Sequence, residues 1–371
     1  MIDPGDRVRS AGRGADKTHR LARLPKRAVR RGTWRARAGL QSRAMILVLP
    51  GALPPAAAAA EIARRLPETS PTLAHWLSLA AAEVRELPLA EYACTPLQAW
   101  LLERAGYVPP DGAPLGAGWS VIEAGAASSH DAGQPIWLAD LAHLHVSQQG
   151  VTLLDPAALR LTDEDAGRLI EIAQPLLSEV GIAARLVGPA RLRVVLPAGV
   201  APYAPTPQAA TGREVQTWWS LDPASRPWRR VLNLVQMAWH DDPANAARAQ
   251  AGLPPVNSLW LFGGGRAADF ASPERMTQAD GPPPTAPVID ARLEAPAAAG
   301  DWLRWLQELA RLDQERLAPL AARLQARGAR PLRLVLTGES RLATLDISPV
   351  QGWRRLLRPR RHDWHAWYTA R

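Results

Sequence analysis

With 371 residues, 47% of them hydrophobic, the chain can bury a large core, and its composition excludes a fibrous or wholly disordered protein. The formal charge of +9 does not argue for nucleic acid, because residues 1–43 hold thirteen Lys and Arg against three Asp and leave the other 328 residues near −1. No apolar run reaches the roughly 18 residues that a membrane span needs, and the single cysteine, Cys94, excludes an internal disulfide framework and fits a reducing cytoplasm.

In chain order, residues 1–44 read as a disordered basic leader upstream of a native start at Met45, whose MILVLPG looks like an opening strand. Helical patterns follow over 55–66, 71–87 and 95–106, the last capped by Thr95 and Pro96. Cys94 has no activating base beside it and reads as a buried structural thiol. Residues 119–123 and 137–146 read as strands, and 151–154 pairs with the latter across Gln149 and Gly150. Thr162 opens a helix to about residue 180, and 182–187 with 191–196 form a hairpin. A Pro- and Ala-rich stretch, 197–213, separates two expected lobes, 45–200 and 201–352. A second such stretch spans 266–299, with a short strand at 287–290. A long helix over 300–327 and a hairpin of 331–337 with 341–347 complete the body. Residues 353–371 form a basic, tryptophan-containing tail, read as solvated or partner-docking rather than RNA-binding. The expected class is therefore α/β (α+β), with mixed or antiparallel sheets and packed helices.

Most of the structural punctuation is concentrated in residues 228–265. Asp222 before Pro223, or Ser225 before Pro227, starts a helix whose buried stripe is Val231, Leu232, Val235 and Trp239. Arg229, Asn233, Gln236 and His240 share a second face at i, i+4, i+7 and i+11. Amides and an imidazole there offer directed hydrogen bonds to a ligand, or polar packing against another part of the protein. Asp242 and Pro243 open a short helix closed by Gly252, with Asn245 and Arg248 on one face near its N-terminus. Arg248 could grip a phosphate or carboxylate, or pair with Asp241 or Asp242. Residues 256–262 read as an interior strand running into Gly263, Gly264 and Gly265, either an anion-binding nest or a plain tight turn.

The order His240, Pro243, Asn245, Arg248, Gly252, Pro255, Asn257, Trp260, Gly263, Gly265 resembles a run found in cofactor-independent phosphoglycerate mutases of the archaeal type. It is more similar still to the bacterial family named regulatory protein RpfE, over about Met45 to the C-terminus; the mutase likeness covers only this segment. Two aspartates separate His240 from Pro243, Ala244 stands where valine is usual, and Phe262 replaces a tryptophan. The mutases use two metal ions and a serine nucleophile, yet Leu49-Pro50-Gly51-Ala52 carries no acid, and no histidine occurs between Gly281 and Pro349. His143 and His145 offer half a metal site or line a polar sheet face.

The resulting expectation is a cytoplasmic, non-catalytic regulatory or ligand-binding protein resembling the RpfE family, without cofactor or metal. Its partner is a small anionic ligand or another protein, not a membrane and not nucleic acid. The expected pocket consists of Arg229, Asn233, Gln236, His240, Asn245, Arg248, Asn257, Gly263, Gly264 and Gly265. The alternatives are a divergent mutase-like phosphotransfer enzyme and a purely structural hub.

Overall fold

The computed structural model describes residues 44–125, 132–148, 150–218, 223–271, 286–326, 328–349 and 361–370. The basic leader, the Asp222 cap, Gln149, residues 272–285 of the second Pro-rich stretch and the arginine run 354–360 lie outside the described residues. The fold is α/β, with two principal sheets and helices on their faces.

The strands in chain order are β1 Met45–Leu49, β2 Ala82–Glu86, β3 Ile136–Ala142, β4 Leu144–Ser147 and β5 Gly150–Leu153. They continue with β6 Ala183–Gly188, β7 Arg191–Val195, β8 Ser258–Gly265, β9 Val288–Ile289, β10 Leu332–Thr337 and β11 Arg341–Ile347. The first sheet runs β2-β11-β10-β1-β9, with β1 parallel to both β10 and β9, and the rest antiparallel. The second runs β6-β7-β3-β8 and is antiparallel throughout, while β4 and β5 form a separate hairpin. The chain thus starts one sheet, builds the other, and returns to finish the first. The stretch 197–213 falls between β7 and β8, which both hydrogen-bond to β3. It does not divide two separate sheets.

Alternation along β1 explains how the first sheet is covered. Leu47 and Leu49 face one core with helices α1 (Ala56–Thr69) and α2 (Pro71–Leu79). Ile46 and Val48 face a second core with α3 (Pro96–Arg104), which Thr95 caps in a capping box with Gln98. Cys94 lies in that second core, where burial pushes its thiol up to about 12, as expected of a structural cysteine.

Three sequence expectations change. The helix expected over 71–87 stops at Leu79, and 82–86 becomes edge strand β2, held by five residue pairs with β11 that outweigh local propensity. Residues 119–123 are not a strand but helix α4 (Trp119–Ala124), preceded by a 3-10 turn, Leu115–Gly118. The helix over 300–327 is broken into α8 (Trp302–Leu312), a π turn (Asp313–Leu317) and α9 (Ala318–Leu324), with numbers α5 to α7 given to three elements between. These are α5 (Asp163–Glu179), α6 (Arg226–His240) and α7 (Pro243–Gln250). In α5 the Thr162 hydroxyl accepts from the Asp165 amide, the expected cap.

Strands β3 and β8 of the second sheet are buried on both faces. Trp137, Ala139 and Leu141 of β3 pack on α5 and α6, while Ile136, Leu138 and Ala142 pack on α4 and the 204–218 segment. That two-sided burial is what the unbroken apolar run of β8 forecast. The tail is anchored rather than wholly solvated: around α10 (His365–Tyr368), Trp364 and Tyr368 are buried in the first sheet's core while Arg361, Asp363 and His365 stay exposed.

Candidate functional site

The ten residues expected to share one pocket are distributed over four places. Asn233, Gln236 and His240 are exposed on the outer face of α6, whose opposite stripe, Trp228, Val231, Leu232, Val235 and Trp239, is buried as expected. Helical periodicity placed these side chains on one face; the side that faces water is theirs.

Asn245 and Arg248 are buried at the corner between α6 and β8, 4% and 3% exposed, and both spend their polar atoms on backbone. The Asn245 amide donates to the Trp239 and Val256 carbonyls at 2.8 Å, and its oxygen accepts from the Val256 N–H at 2.8 Å. Arg248 donates from Nε to the Pro254 carbonyl at 3.1 Å, and from Nη2 to Pro254 at 2.9 Å and to Leu159. Its Nη1 lies 3.6 Å from the Asp165 carboxylate, an ion pair too long for a hydrogen bond. Asp242, not Arg248, provides the cap of α7, accepting from the Ala244 amide while Arg168 pairs with it. Neither Asp241 nor Asp242 is the partner of Arg248. The corner therefore ties α7, α5 and the approach to β8 together, each bond contributing about 1–3 kcal/mol against an otherwise unmet buried group.

Asn257 works in the same manner one step along the chain. Its amide brackets Leu144, accepting from the N–H at 2.7 Å and donating to the carbonyl at 3.0 Å, so that β4 departs from β3 at a fixed point. His143 sits at that break, its Nδ1 2.7 Å from the Pro255 carbonyl. The His143 and His145 rings are 6.3 Å apart, and among the described residues no group of three His, Cys, Asp or Glu is placed to hold a metal.

Gly263, Gly264 and Gly265 are all part of β8 rather than a turn beyond it. Gly263 and Gly264 have φ of +105° and +93°, and the ladder skips a residue opposite Ile136 and Trp137, a β-bulge. A Cβ on Gly263 would stand 2.4 Å from Ser120, one on Gly264 2.6 Å from the Trp137 ring, and one on Gly265 2.7 Å from the Ala117 carbonyl. The glycines admit α4 and its 3-10 turn against the sheet. Their close approach is to this chain's own Ser120, Trp137 and Ala117.

Arg229 is the member of the set that lines a cavity. A small open cleft, with a cavity volume of about 50 Å³, lies between the start of α6, β8 and the segment 202–218. Its walls present three indoles, Trp218, Trp228 and Trp260, with Arg229, Ser225 and Ser258 as the polar groups. Trp260 is held by donating from its ring nitrogen to the Pro205 carbonyl at 2.8 Å. Rings locked this way give a rigid apolar wall beside one guanidinium. Tryptophan count in the 218–260 region was a sequence signal for this cleft; the convergence of rings from three segments was not.

Two other features were not foreseen. Arg191 of β7 clamps Asp140 of β3 through Nε and Nη2, at 2.5 and 2.8 Å, also contacts Glu123 of α4, and lies over the Phe262 ring. Burial raises the Asp140 pKa and Arg191 opposes that rise, so the cluster fastens α4 to the sheet at an electrostatic cost. At the carboxyl ends of parallel β1 and β10, the usual ligand crevice of open α/β sheets, the tail is seated instead. Tyr368 donates from its hydroxyl to the Ala52 carbonyl at 3.1 Å, and Arg341 holds the carbonyls of Trp367, Tyr368, Ala370 and Pro54 at 3.0–3.2 Å.

No family model matches this chain, and no curated protein matches it. Among solved structures, a cofactor-independent phosphoglycerate mutase from Thermoplasma acidophilum DSM 1728 is 14% identical, aligned over 82% of this chain and 90% of that one with a TM-score of 0.30. The PH0037 protein from Pyrococcus horikoshii is 11% identical, aligned over 88% of this chain and 92% of that one with a TM-score of 0.41. Likeness at this level carries no chemistry to this chain.

Proposed function

We propose that this chain is a non-catalytic binding protein, of the regulatory kind that the resemblance to the RpfE family implies, and that the tryptophan cleft is its site. The ligand is a flat apolar body carrying one anionic group. The observation that supports this is the combination of three indoles, Trp260 anchored to the Pro205 carbonyl, with Arg229 in one cleft. Small-molecule sites are mostly apolar with a few placed polar groups, and aromatic walls favour planar ligands. Of the other expected site residues, Asn245 and Arg248 act indirectly, by fixing the corner from which α6 and β8 diverge. A reducing compartment such as the cytoplasm suits a chain whose single cysteine is buried and unpaired.

Titration calorimetry with naphthalene-2-carboxylate and its neutral analogue naphthalene-2-methanol tests this reading. Saturable binding of one carboxylate per chain is expected. Arg229→Met should weaken the carboxylate at least tenfold and leave the alcohol unchanged, and Trp218→Ala should weaken both. Absence of saturable binding, or binding indifferent to both substitutions, would overturn the proposal. Turnover of phosphoglycerate with added manganese would favour the mutase alternative instead.

A further inference from the structure

The geometry points to a second, separate binding site, in a groove beneath the edge of the first sheet, that takes a straight-chain amphipathic anion: an acyl chain ending in a carboxylate. The groove has a cavity volume of about 530 Å³, against about 50 Å³ for the tryptophan cleft. One wall is the beginning of β1 and β10 with the edge strand β9; the other is the π turn with α9.

Three observations define the occupant. The floor is apolar, from Met45, Leu47, Val288, Pro319 and Leu320, and Val288 is 47% exposed. No Phe, Tyr or Trp lines the groove, so nothing there favours a planar ring over a flexible chain. The rim carries three guanidiniums, Arg292, Arg316 and Arg323. Arg292 pairs with Asp290 at 2.9 Å and Glu315 at 2.7 Å, and Arg316 pairs with the same Asp290 at 3.0 Å. Three cations therefore meet two carboxylates, and Arg323, exposed, has no carboxylate within ion-pair reach among the described residues. An incoming carboxylate would complete the set.

The π turn is what places these charges. Its extra residue turns Asp313 inward, 4% exposed, where it accepts from the Ser70 hydroxyl and from the Thr72 hydroxyl at 3.1 Å. Glu315 and Arg316 are thereby directed to the groove, with Pro319, Leu320 and Arg323 following on one helical face. Single π turns inside α-helices recur at functional sites.

The test uses cis-parinarate, a fluorescent polyene fatty acid, on the full chain, with displacement by dodecanoate, dodecanol and acetate. One displaceable site per chain is expected, with dodecanoate at least tenfold stronger than dodecanol and acetate inactive. Arg323→Gln and Arg316→Gln should each weaken dodecanoate about fivefold to tenfold without affecting dodecanol, and Leu320→Trp should block both. Unchanged melting temperature in Arg323→Gln, an exposed position, shows that the fold is intact. Arg229→Met should have no effect, which separates this site from the cleft. Loss of binding in Arg229→Met but not Arg323→Gln, equal affinity for acid and alcohol, or no binding would each overturn the inference.

Discussion

Arg229 and Arg248 lie in one segment, and their surroundings assign them opposite tasks. Arg248 is enclosed: its Nε and Nη2 donate to the carbonyls of Pro254 and Leu159, while Nη1 is buried without a hydrogen bond, 3.6 Å from the Asp165 carboxylate. Arg229 is half-buried at the wall of an open cleft. A guanidinium bonded to buried carbonyls holds a fold together, whereas one at the wall of a cleft is within reach of a ligand. The same division separates the α6–α7 corner from the tryptophan cleft, and substitutions at the two should therefore fail in different ways.

The largest effect is expected at Gly263. Gly263→Ala adds a Cβ 2.4 Å from Ser120 at a φ of +105°, and backbone strain plus overpacking should cost on the order of 3–5 kcal/mol. Urea denaturation should show the midpoint collapse; a midpoint near that of the wild type would mean that α4 does not press on β8. Next comes the corner. Asn245→Ala strands the Val256 N–H and two carbonyls, for about 2–3 kcal/mol, and the melting temperature should fall while the affinity of the folded cleft for naphthalene-2-carboxylate holds. If affinity falls and stability does not, corner and cleft have exchanged roles. Arg229→Met sharpens the comparison from the other side: a stability change within about 0.5 kcal/mol with the tenfold affinity loss given above. The smallest effect belongs to His240→Ala on the exposed face of α6, within about 0.5 kcal/mol of wild type in thermal unfolding.

The positions of secondary structure were largely legible. Thr95, Thr162 and Asp242 announced helix starts that the structure uses, because a cap is a local hydrogen bond. The run from Leu259 to Phe262 announced an interior strand, because two-sided burial requires apolar residues at every position. Where neighbours decide, sequence reading failed: 82–86 became a strand by pairing with β11, and the π turn at 313–317 left no local signature. The candidate site was legible as a place of unusual residues but not as a purpose. Asn245, Arg248 and Asn257 carry the same donors whether they meet an anion or a carbonyl.

The amino-acid sequence alone determined a near-neutral body after residue 43, the main helices and strands, and the stripe of α6 that is buried. Those properties follow from composition, periodicity and capping, which act within a few residues. The tertiary structure alone decided that the glycines receive α4, that Tyr368 fills the strand-end crevice, and that three distant tryptophans meet beside Arg229. Each depends on contacts between residues far apart in the chain, and a side chain's task there is set by which partner reaches it first.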